Sequence, residues 1–95
     1  MAVVGVLHLE LQLDYATSIK DKRNVIRSLK ARLRSRHNVA VAEIGHQDSM
    51  SRGLVGVVAI SSDRVYAEGL LQKAEDEAAA LLGAVLVGSG VEWIE

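Results

Sequence analysis

Apolar residues in this chain recur with two different periods, and the order in which those periods alternate restricts the fold more than any other property. Over residues 3–13 the alternation is strict: Val3, Leu7, Leu9, Leu11 and Leu13 point one way, and Val4, Val6, His8, Glu10 and Gln12 the other. That is a strand with one face in a core. Over residues 18–37 the period lengthens, with Val25, Ile26, Leu29 and Leu33 on one face of a helix that no Gly or Pro interrupts. Ser18 suits its N-cap, Asp21 its positive first turn, and Asn38 its stop. Residues 39–44 are again β-rich, residues 45–53 form a polar turn, and residues 54–60 are apolar on both faces, as a central strand should be.

A second helix follows to Leu82, capped from Ser61, Ser62 or Asp63, with Val65, Leu70, Ala74, Ala78 and Leu81 or Leu82 toward the core. Gly69 weakens it locally and Gly83 closes it. Residues 85–94 form the last strand, in which Gly88-Ser89-Gly90 predicts a bulge or bend. The order is β-α-β-β-α-β. With right-handed crossovers it gives a ferredoxin-like α+β sandwich, a four-stranded antiparallel sheet carrying two helices on one face. Its 95 residues make one domain, 1–95, able to bury about two thirds of its unfolded surface.

Charge is distributed unevenly over this frame. The first helix holds eight of the eleven Lys and Arg residues against one acid, Asp21, so it is strongly cationic in a chain of net charge -1. At about 100° per residue, Lys20, Arg23, Arg27, Lys30 and Arg34 form a stripe roughly 80° wide beside the apolar stripe. Lys22 instead falls in the middle of the apolar face. In the first turn it can run past the end of the core and aim its ammonium above the sheet. Two readings of the ridge stand side by side. A row of cations concentrates positive potential where a phosphate backbone can track it, which makes Lys20, Lys22, Arg23, Arg27, Lys30 and Arg34 the candidate nucleic-acid contacts. Alternatively, Asp63, Glu68, Glu75, Asp76 and Glu77 of the second helix neutralise the ridge.

Chain direction places the start of the basic helix at the same end of the domain as the turn between the second and third strands. Lys22, His46, Gln47 and Asp48 therefore make a candidate site for an anion or small ligand. As an enzyme it would use His46 as base and Asp48 as its orienter. As plain structure, Gln47 and Asp48 bond turn amides and His46 pairs with a carboxylate such as Glu43. A metal would find His46, Asp48 and Glu43, but the adjacent cations oppose a divalent ion. We therefore expect no metal and no cofactor, and assign no catalytic residue. The chain has no Cys, which excludes disulfides and thiolate chemistry and fits a reducing, cytoplasmic setting. No apolar run is long enough for a membrane span.

Ser18-Ile19-Lys20-Asp21-Lys22-Arg23, followed after the basic helix by Val41-Ala42-Glu43-Ile44-Gly45-His46-Gln47-Asp48, resembles the YlxP-like family of small bacterial proteins of unknown function. Gly5-Val6-Leu7-His8-Leu9-Glu10 resembles its opening strand. The resemblance implies a ferredoxin-like fold. Genes of this family commonly sit beside genes for translation initiation and ribosome maturation, which implies RNA- or ribosome-linked work. The chain departs from the family pattern at Gly45, where an acid is usual, and near Met50, where an aromatic is usual. Both departures speak against base stacking by the hairpin.

The expectation is an accessory RNA- or ribosome-binding protein that is not an enzyme. A module for an acidic protein partner is the alternative, and a binder or enzyme of a small anion the third. Only Tyr15, Tyr66 and Trp93 are aromatic, with no pair on the central strands, so contacts to backbone or shape are favoured over a stacking platform. The sheet face away from the helices carries Val4, Val6 and further Val, Leu or Ile of the third and fourth strands. Such a face invites burial against a second copy, so a homodimer is expected.

Overall fold

A computed structural model describes residues 1–16 and 18–94. The elements run β1 (Val3–Gln12), α1 (Ile19–Arg36), β2 (Ala40–Gly45), β3 (Arg52–Ser61), α2 (Arg64–Leu82), a 3-10 turn (Gly83–Val85) and β4 (Leu86–Ile94). The strands form one sheet in the order β2-β3-β1-β4, with every neighbouring pair antiparallel. This is the ferredoxin-like arrangement that the order of periods predicts. β3 inserts between β1 and β2, and β2 and β4 are the two edges.

The core follows from the alternation. Leu7, Leu9 and Leu11 of β1 and Val55, Val57 and Ala59 of β3 face the helices and are buried, as are Ile26, Leu29 and Leu33 of α1. Ser18 caps α1, its hydroxyl accepting from the Asp21 amide at 3.2 Å. The helix stops near His37 and Asn38, as expected, but the C-cap is His37, with extended backbone, and Asn38 takes no left-handed conformation. The His37 amide closes the last turn on the Leu33 carbonyl at 2.9 Å, so no left-handed residue is required.

In α2 the buried residues are Ala67, Leu71, Ala74 and Ala78. Val65, expected in the core, is 75% exposed, and Leu70 only flanks the core. The stripe from Ala67 to Ala78 sets the face toward the sheet, and Val65 lies about 200° round the helix from Ala67. Asp63 caps this helix through the Val65 amide at 2.9 Å, and Gly83 ends it at φ +56°, a conformation that glycine accepts without a Cβ clash. β3 begins at Arg52, two residues before the apolar run. β4 is continuous through Gly88-Ser89-Gly90. Its irregularity lies one step earlier, where the register shifts between Glu10 and Leu11 and leaves Val87 unpaired.

Gly5 has a packing reason to be glycine. A Cβ there would lie 2.6 Å from Leu71 Cδ1 and 2.7 Å from Trp93 Cζ3, so α2 and Trp93 close over its bare backbone. Trp93 thereby seals the end of the core, and the Arg64 guanidinium stacks 4.7 Å above its ring.

Candidate functional site

The flank of α1 that faces away from α2 is where the unpaired cations collect. Lys20, Arg23, Arg27 and Arg34 are exposed and Lys30 half-buried, and none of the five makes an ion pair among the described residues. Arg23, Arg27, Lys30 and Arg34 line an open cleft with Ile26, Ala31 and Glu43, so the ridge runs beside the edge strand β2. From Lys20 to Arg34 it extends about 21 Å at the helical rise.

On the opposite flank the charges are spent. Glu77 of α2 meets Arg32 and Arg36 at 3.4 Å and His37 Nε2 at 3.5 Å. Desolvation pushes the Glu77 carboxyl up. The charge of Arg36, the hydrogen bond and charge of Arg32, and the hydrogen bond of His37 outweigh it and hold the carboxyl below its usual 4.5. The other acids of α2 are engaged elsewhere: Glu68 pairs with Arg64, Gln72 bonds Glu75 and Asp76, and the Ser89 hydroxyl donates to Glu75 at 2.6 Å. Of the five acids that could have neutralised α1, Glu77 alone does so among the described residues, and only on the flank away from the ridge.

Lys22 takes a different part from its neighbours. It is fully buried, and its ammonium donates to the carbonyl oxygens of His46 (2.7 Å), Arg52 (3.2 Å) and Gln47 (3.5 Å) while pairing with Glu43 Oε2 at 3.1 Å. It does run past the end of the core, but what it meets there is the backbone of the β2–β3 hairpin. Its stem passes over Gly53, with Cδ 3.8 Å from where a Cβ would stand. A cation so enclosed by oxygens has no face left for a further anion.

Around this staple the turn organises itself. His46 adopts φ +57°, and its carbonyl accepts from Lys22 and from the Ser49 amide at 3.0 Å. The Gln47 side chain donates to the Glu43 carbonyl, and Ser49 Oγ accepts from the Arg52 amide. Lys22, His46 and Gln47 do come together, but through main-chain oxygens. The side chains of His46 and Asp48 are exposed and make no hydrogen bond or ion pair among the described residues. Glu43, the expected partner of His46, is held by Lys22 instead. A signal for the pair existed: Glu43 shares the inward face of β2 with Val41, and Lys22 sits in the apolar stripe of α1. Two opposite charges at core-facing positions must find each other or stay unpaired.

Comparison with known proteins agrees with this architecture. Among solved structures, the de novo designed protein Foldit4 matches with a TM-score of 0.63 at 17% identity, over 100% of this chain and 98% of that one. A dimeric ferredoxin-like protein of unknown function from Thermobifida fusca matches at 0.51 and 14% identity, over 96% and 90%. Both likenesses concern the fold. The uncharacterized protein YlxP of Bacillus subtilis (strain 168) is 37% identical over 71 residues, which cover 75% of this chain and 77% of that protein. Residues 4–91 match the family described as "Protein of unknown function (DUF503)", and the chain belongs to that family.

Proposed function

We propose that this protein binds structured RNA, as a ribosome-associated accessory factor without catalytic activity of its own, through phosphate contacts along the free flank of α1. One observation carries the reading. Arg32 and Arg36 on the α2 side of α1 share the carboxylate of Glu77, whereas Lys20, Arg23, Arg27, Lys30 and Arg34 make no ion pair among the described residues. Opposed charge within the chain thus spares the flank where a backbone can lie. The short aromatic supply supports contact with backbone and shape over base stacking.

Binding of fluorescent structured RNA, including ribosomal RNA fragments, at several salt concentrations tests it. Five phosphate contacts give a log–log salt slope on the order of -4, and Arg27→Glu with Lys30→Glu should reduce that slope by about 2. A folded native protein that ignores every RNA at low salt overturns the reading. The same ridge borders β2, an edge strand, which favours as a second reading an acidic protein segment docked there. Such a partner would copurify after nuclease treatment.

A further inference from the structure

The sheet face away from the helices is uncovered along its whole length. It carries Val4, Val6, Leu54, Val58, Ala40, Ala42, Ile44, Ile60 and Ile94, of which Ile44, Ile60 and Ile94 are 47%, 64% and 57% exposed. Four strands at about 4.8 Å spacing and about 30 Å long give a face that buries on the order of 1,100 Å² when two copies meet. A specific interface needs about 1,000 Å². The area is sufficient for a second copy of the chain.

Relief on the face fits a second copy more closely than area alone. Ala42, Gly56, His8 and Gly90 stand in one row across the four strands. On the β2 edge Ile44 leans over that row, its Cδ1 3.0 Å from where a Cβ on Gly56 would be. On the β4 edge the same row holds a hollow lined by His8, Glu10, Leu54, Ser89 and Gly90, and a Cβ at Gly90 would touch nothing within 4 Å. Ile44 rises from β2 with its tip over Gly56 of β3, and the hollow is lined by His8 and Glu10 of β1 together with Gly90 of β4, so knob tip and hollow lie on opposite sides of the line between β1 and β3. A two-fold axis along that line exchanges the edges and keeps each row in place, so it seats both knobs in both hollows. It also brings Arg52 over the partner's Gln12, one step from the partner's Glu10, a rim pair of opposite charge.

We propose that two copies pack open face to open face about a two-fold axis parallel to the strands between β1 and β3, with the tip of Ile44 of each in the partner's hollow beside His8 and Ala42 over the partner's Gly90. The geometry is an aligned sheet-on-sheet interface that leaves both basic ridges on the outside. It does not depend on RNA binding.

Light scattering tests the assembly. The native chain should weigh twice its 10.2 kDa. Ile44→Asp and Gly90→Leu should each give the single mass with unchanged circular dichroism, since Ile44 is exposed and Gly90 has open space above it. The orientation is tested in the cysteine-free background with a short bis-maleimide. Ala42→Cys combined with Gly90→Cys should cross-link two copies, while each single variant should not, because its two cysteines lie three strand spacings apart, about 14 Å. A monomeric native chain, or a dimer that survives both disrupting variants, overturns the proposal. So does cross-linking by Ala42→Cys alone, which would place β2 over the partner's β2.

Discussion

Replacing Lys22 with Met removes the charge and keeps most of the stem, so the packing over Gly53 survives while four oxygen contacts are lost. The largest consequence falls on Glu43. Its Oε2 is buried and Lys22 is its counterion at 3.1 Å, so the variant leaves a carboxylate facing the core without a partner. Removing one member of a buried pair costs about 3–5 kcal/mol. The Glu43 side chain is 21% exposed, so water reaches part of it and the lower end, about 3 kcal/mol, applies. The carbonyls of His46, Gln47 and Arg52 lie at a turn where water can replace the ammonium, and add little.

For a domain of this size such a loss lowers the melting temperature by about 10–25 °C. Urea denaturation followed by circular dichroism measures it, and a double-mutant cycle locates it. Glu43→Gln in the Lys22→Met background should recover about 1–2 kcal/mol by neutralising the stranded carboxylate. In the native background the same change should be destabilising. Lys22→Met within about 1 kcal/mol of native, or Glu43→Gln costing the same in both backgrounds, would refute the account of Lys22 as a staple of the hairpin.

Glu77→Gln should lower the melting temperature at neutral pH, because Glu77 holds Arg32, Arg36 and His37 together. Its carboxyl is depressed in the folded state, so the stabilisation is present above the ordinary value of 4.5 and is lost as pH falls through the lower folded value. The gap between native and variant melting curves should therefore close in acid, and a gap that persists unchanged would contradict the linkage. Gly5→Ala should cost about 1–3 kcal/mol by overpacking, because its Cβ meets Leu71 and Trp93 below 3 Å. A shift in Trp93 fluorescence should accompany the loss, and native stability with native fluorescence would show that both side chains yield freely.

The ferredoxin-like topology is legible because it rests on periods, and periods are local. Strand alternation in Val3–Gln12 and the i, i+3, i+7 spacing of Ile26, Leu29 and Leu33 each specify an inward face before any partner is known. α2 was less legible for the same reason. Its true stripe is three alanines and one leucine, which hydropathy barely separates from the exposed Ala79 and Ala80, so larger side chains such as Val65 drew the expected face round the helix.

The site divides along a similar line. That α1 carries a basic ridge could be read from angles alone, since neighbours on a helix face are fixed by its pitch. Which cations stay free could not, because that depends on where Glu77 lands relative to Arg32 and Arg36, more than forty residues away in sequence. Nor could the fate of Lys22 be read from its own helix. A lysine in an apolar stripe shows that something polar must wait above it, but the identity of that partner is a property of the β2–β3 hairpin and the register that sets Glu43 beneath it. The elements, their order and the inward faces of β1 and α1 follow from interactions a few residues long, whereas the face of α2 does not. Which charges cancel and which face outward depends on distances in space that the packed sheet and helices define.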